Sequence, residues 1–116
     1  MFFFIHKKKH LGENETLDTI DLSWNLLRGK AGIDIIEGLK VNSRLKSANI
    51  SWNGMGNECA LPIAECLKNN HVLTELDVSS NRLALQGMVA IAKGLDANED
   101  LKTFKVKLIN QYILDN

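Results

Sequence analysis

The chain has 116 residues, 45% of them hydrophobic and 24% charged, the composition of a globular rather than a disordered chain. Lys plus Arg equals Asp plus Glu at 14 each, so there is no basic excess of the kind that nucleic-acid binding needs. The three histidines, His6, His10 and His71, have no paired spacing that would hold a metal ion, and no cofactor motif is present.

At the N-terminus, MFFFIHKKKH places a short apolar run, Met1 to Ile5, ahead of its basic residues. A secretory signal has the opposite order and a longer apolar core, and no run in the chain approaches a membrane span. Residues 1–10 carry no helical stripe and are expected to form an irregular tail. The next stretch, LGENET (11–16), reads as the end of a helix without its body.

From residue 11 the chain repeats. Leu17, Leu45, Leu73 and Leu101 are each 28 apart, as are Leu11, Leu39, Leu67 and Leu95. Asn14, Asn42, Asn70 and Asn98 form a third column, and Asn25, Asn53 and Asn81 a fourth. Ile20, Ala48, Leu76 and Phe104 make a fifth, and Leu22, Ile50, Val78 and Val106 a sixth. Six columns at one period define an array over 11–106, with units 17–44, 45–72 and 73–100 and a partial unit 101–106.

Each unit switches periodicity once. LDTIDL (17–22) sets Ile20 and Leu22 two apart, as a strand with one buried face requires. Gly32, Ile35, Ile36 and Leu39 then follow helical spacing, as do Ala60, Ile63, Ala64, Leu67 and Met88, Ile91, Ala92, Leu95. Strand, turn, helix and turn therefore return the chain to start a parallel strand, and stacking units buries both stripes. Pro62 falls inside the second helix and predicts a distorted first turn there. If both lie on that helix, Cys59 and Cys66, seven residues apart, are about 10 Å apart along its axis, too far for a disulfide. They read as reduced, semi-buried residues of an intracellular, cytoplasmic protein. After Val106 the Asn column holds Ile109, and residues 107–116 are expected to form an irregular tail. The repeat stops mid-unit at both ends, which raises the expectation of a non-autonomous fragment of a longer repeat protein.

The pattern LxxLxLxxNxL followed by a helix resembles the ribonuclease-inhibitor type of leucine-rich repeat. LDTIDLSWNLL (17–27) and LTELDVSSNRL (73–83) fit it throughout, and LKSANISWNGM (45–55) fits with Ala48 and Met55 as substitutes. The wording LSWN, GLKVN and ISWNGMGNE looks nearest to the leucine-rich repeat-containing protein 74 group. The family usually has Gly just before the helix core. Here that column reads Ala31, Cys59 and Gly87. The resemblance implies an α/β fold, a right-handed solenoid with parallel strands on the concave face and helices on the convex face. It also implies a protein-binding scaffold, with regulation of a small GTPase as the alternative.

In that architecture Asp21, Asn49, Glu75 and Asp77 point from the strands onto the concave face, which runs from mildly acidic at the first unit to basic at Lys102, Lys105 and Lys107. Trp24 and Trp52 share one column at the strand end, which places them about 5 Å apart on adjacent units. They are either an aromatic anchor for a protein partner or covers for the turn. Asn25, Asn53 and Asn81 beside them read as structural, because an amide both donates and accepts and so satisfies turn backbone that stacking buries. No nucleophile is tied to a base by spacing, and no phosphate-cradling or metalloprotease motif is present, so an enzyme is not expected.

Overall fold

The computed structural model describes residues 2–108. Four strands, β1 (Thr19–Asp21), β2 (Ser47–Asn49), β3 (Glu75–Asp77) and β4 (Thr103–Lys105), form one parallel sheet in chain order. Helices α1 (Phe2–Glu13), α2 (Lys30–Val41), α3 (Ala60–Asn69) and α4 (Leu85–Asp96) alternate with them. The register is the sequence period itself: Ile20 pairs with Ala48, Ala48 with Leu76, and Leu76 with Phe104. Pairing extends beyond the short strands, because Lys46 N donates to Asp18 O (2.8 Å) and Trp24 N to Ser51 O (3.2 Å).

The core lies between this sheet and the helices. Leu45, Leu73, Ile50 and Val78 from the sheet layer meet Ile36, Leu39, Ile63, Leu67 and Ile91 from the helices, all buried. Each such side chain contributes about 1.5–3 kcal/mol of transfer free energy. Burial weakens at the edges of the stack. Leu17 is 41% exposed where Leu45 is fully covered, because no described strand precedes β1. The α4 stripe is likewise thinner: Ala92 is exposed and Met88 and Leu95 are half-buried, because no described helix packs beyond α4.

The N-terminal segment departs from the irregular tail expected for residues 1–10. It is helical from Phe2 to Glu13 and packs on α2. Leu11 is buried, Lys8 pairs with Glu37 at 2.7 Å, and the Asn42 amide donates to Leu11 O at 2.6 Å. The approach depends on Gly38, where an added Cβ would stand 3.0 Å from Lys8 O. Helix α1 thus supplies the body that LGENET lacked and covers the outer flank of the first unit. Of the tail expected over 107–116, Lys107 and Leu108 have no regular structure, and the rest lies outside the described residues.

Pro62 acts as expected. A single 3-10 turn, Asn57–Cys59, precedes α3, and Pro62 sits in the first α-helical turn, where its missing N–H has no intrahelical partner to lose. Gly87 conforms to the family column for a packing reason: a Cβ there would collide with the Asn57 side chain and with Ala60.

Candidate protein-binding surface

Two structural ladders hold the strands in place for any surface they carry. At the helix-to-strand corner, the Asn70 side chain donates to Leu39 O (2.8 Å) and Asn42 O (3.2 Å) of the preceding unit. Its carbonyl oxygen accepts from Val72 N and Leu73 N, both at 2.8 Å. Asn42 and Asn98 repeat this set one unit away on either side. At the strand-to-helix corner, Asn53 Oδ1 accepts from Asn25 N (2.6 Å), and Asn81 Oδ1 from Asn53 N (2.8 Å). The Asn53 amide donates to Leu22 O, Ile50 O and Ser51 O at 2.9–3.1 Å. Backbone groups that stacking removes from water thus find partners in side chains, and no described buried side-chain N or O atom is left unpaired.

The polar strand residues form two rows across the sheet. One row is Thr19, Ser47, Glu75 and Thr103, and the other is Asp21, Asn49, Asp77 and Lys105. A shallow depression lies over Ser47, Asn49, Glu75, Asp77, Thr103 and Lys105. Three members of the second row are partly occupied. Asp21 Oδ1 accepts from Ser23 N (2.9 Å) and Ser23 Oγ (2.6 Å), Asn49 Oδ1 accepts from Ser51 N and Oγ at the same distances, and Asp77 Oδ1 accepts from Ser79 N (2.9 Å). These are Asx turns that end each strand. The Ser23 hydroxyl, then the Ser23 amide, hold the Asp21 carboxyl below its ordinary value of 3.8. Glu75 is exposed and its carboxylate makes no hydrogen bond or ion pair with any described residue, while Ser51 is buried with its hydroxyl turned to Asn49. Sequence reasoning placed these residues on one face but missed the Asx role, which the Asp/Asn-x-Ser spacing at 21–23, 49–51 and 77–79 could have revealed.

Trp24 and Trp52 stack on the adjoining edge, with ring centroids 4.5 Å apart and planes 6° from parallel. They remain 68% and 48% exposed, so they are surface groups rather than core. Their backbones are left-handed, with φ 61° and 58°, and Ser80 in the same column has φ 57°. Two residues on, Leu26, Gly54 and Arg82 repeat the conformation with φ 54°, 63° and 62°. A non-glycine residue held there costs about 1–3 kcal/mol, which the surrounding bonds must offset. The Asn25–Asn53–Asn81 ladder lies between the two left-handed columns and supplies those bonds.

Elsewhere the chemistry is quiet. Cys59 and Cys66 are free and buried, and burial pushes both thiols up to about 12 from an ordinary 9.0, which keeps them protonated and unreactive at neutral pH. Among the described residues no three His, Cys, Asp or Glu side chains converge as a metal ion would require, and no helix is long and apolar enough to cross a membrane.

A family model described as leucine-rich repeat matches residues 69–92, a window that spans β3 and most of α4. No curated protein matches the chain. Among solved structures it is similar to leiomodin-1 actin-binding site 2, with TM-score 0.80 and 20% identity over 90% of this chain and 62% of that one. It is also similar to the tropomodulin C-terminal domain from Caenorhabditis elegans, with TM-score 0.77 and 16% identity over 97% of this chain and 72% of that one. This chain therefore spans less than two thirds of the leiomodin domain, and at these identities the likeness is one of fold. The 28-residue register, the single parallel sheet with a helix on each return and the matched repeat unit give this chain the fold of a leucine-rich-repeat solenoid.

Proposed function

We propose that this solenoid is an intracellular protein-binding scaffold of the ribonuclease-inhibitor type, nearest the leucine-rich repeat-containing protein 74 group, and that it acts by binding rather than by catalysis. Its contact surface is the strand face around Asp21, Asn49, Glu75 and Asp77, continued at the edge by Trp24 and Trp52. One observation carries the reading: two aromatic side chains stand exposed at a rigid corner, beside polar rows held in register by buried ladders. Rigid elements that present exposed aromatic and charged groups lose little entropy on association. The free Glu75 carboxylate and the Lys105 ammonium of the next strand give the face a sign pattern that selects a partner by charge. Two buried thiols support a reducing compartment.

The test compares the native array with a Glu75→Lys, Asp77→Asn variant in affinity capture. An amide side chain at position 77 would keep the strand-ending turn, as Asn49 does, while the face loses its acidity. Actin is the first defined bait, because the similar leiomodin-1 domain is an actin-binding site. The expected outcome is a captured partner whose recovery falls about tenfold or more for the variant with unfolding unchanged. Equal recovery by both proteins overturns the assignment of the strand face.

A further inference from the structure

We propose that the tryptophan edge binds an acidic protein segment by seating one aromatic side chain of that segment over Ser80, against the open face of Trp52. The proposal rests on the reading of the array as a protein-binding module and assigns the chemistry of its edge.

The column at Trp24, Trp52 and Ser80 has one backbone conformation and two kinds of side chain. The ring spacing of 4.5 Å matches the spacing of neighbouring strands, so the stack runs along the sheet from unit to unit. Trp24 covers one face of Trp52. The other face is directed toward the next unit, where the column steps down from an indole to a hydroxymethyl group. Ser80 is too small to cover that face, and Trp52 stays 48% exposed. A third flat ring placed over Ser80 would continue the stack in the offset-parallel arrangement that aromatic pairs favour.

Charge supplies the second half of the assignment. The depression at this edge is lined by Trp24, Trp52 and Ser80 together with the cations Arg28, Arg82 and Lys107. No described carboxylate lines it. The three cations make no ion pair with any described residue, whereas Arg44 and Lys8 elsewhere are paired at 2.9 and 2.7 Å. Arg82 occupies the position two after Ser80, and Lys107 follows β4 in the unit beyond, so both flank the step. A ligand that fills the site brings a ring between two or three carboxylates. A single-stranded nucleic acid also combines rings with anions, but it needs a cationic groove that follows its backbone. Three cations on a chain with equal numbers of acidic and basic residues fit a short acidic peptide instead.

The experiment follows the fluorescence anisotropy of a labelled dodecapeptide of Glu, Asp, Gly and Ser with one central Phe, titrated with the whole chain. Three further probes carry Ala for Phe, Lys for the acids, or oligothymidine. Saturable binding of the Phe peptide is expected, about tenfold weaker when Phe is replaced by Ala, and absent for the Lys peptide. Ser80→Trp fills the step with the chain's own indole, in a backbone conformation that already carries Trp at two positions, and is expected to lower affinity about tenfold without loss of fold. An Arg28→Ala, Arg82→Ala, Lys107→Ala variant, changed only at exposed side chains, tests the charge separately and is expected to abolish binding. The proposal is overturned by no saturable binding, by equal binding of the Ala peptide, by an unaffected Ser80→Trp variant, or by tighter binding of oligothymidine. If the peptide fails while the Glu75→Lys, Asp77→Asn variant still lowers partner capture, the edge assignment alone falls. If the peptide binds while the strand-face variant captures its partner undiminished, the edge assignment stands without the other.

Discussion

The two corners of each repeat solve the same problem in different ways. At the helix-to-strand corner, Asn42, Asn70 and Asn98 use both amide hydrogens and the carbonyl oxygen on backbone groups, and the exposed Arg44 and His71 beside them pair with Asp18 and Asp100. At the strand-to-helix corner, Asn53 and Asn81 also bond the backbone, but the flanking residues are turned out in left-handed conformations. The first corner only stacks units. The second stacks units and displays side chains, and its buried amides are what allow indoles to stand at positive φ. A surface can thus be varied from unit to unit, Trp to Ser or Leu to Gly to Arg, while the ladder beneath it stays the same.

The sharpest way to break this comparison is within the displaying corner itself. Asn53 is buried, and Asn53→Ala removes the acceptor of Asn25 N and the donors to Leu22, Ile50 and Ser51 carbonyls. The expected loss is about 3 kcal/mol in urea unfolding, because stranded buried groups keep their full desolvation cost. Asn25 is exposed and bonds only carbonyls of its own unit through its side chain, so Asn25→Ala is expected to lose less than about 1 kcal/mol. Equal losses would mean that the ladder does not depend on burial.

A smaller effect separates the side chain from its backbone. Trp24→Ala loses the ring stack yet keeps a side chain at φ 61°, for an expected loss of about 1 kcal/mol. Trp24→Gly loses the same stack but releases the left-handed strain, so it should be more stable than the Ala variant by about 1 kcal/mol. Thermal unfolding of the pair decides it. Ala equal to Gly would show that the corner is not strained.

The smallest expected effect is in pH. The folded-state carboxyl of Asp21 lies below its ordinary 3.8, so its contribution is present above that value and is lost as pH falls through the lower folded value. Asn49 makes the same turn with an uncharged amide, so Asp21→Asn should leave stability at neutral pH unchanged and flatten its fall below pH 3.8. An unchanged acid limb would assign that fall to other carboxylates.

Register, sheet order and helix faces were legible because the same spacing recurs from unit to unit, and a period repeated in six columns admits one stacking. The proximity of Trp24 to Trp52 followed from the same spacing. Helix α1 was not legible. Its MFFFIHKKKH has no single apolar stripe, and it is Gly38 and the Asn42 amide on the neighbouring unit that give it a seat. The exposure of Leu17 and Ala92 was equally hidden, since Leu45 and Leu73 in the first column and Ile36 and Ala64 in the second are buried. Position in the stack, not residue type, sets their burial.

By itself the sequence determined the 28-residue unit, its parallel pairing and the Asn columns, because these follow from which side chains recur and at what spacing. Tertiary structure alone decided that Trp24, Trp52 and Ser80 share a left-handed backbone, and that three cations gather beside them without carboxylates. Local propensity opposes a tryptophan at positive φ, and only hydrogen bonds from the adjacent unit, 28 residues away, hold it there.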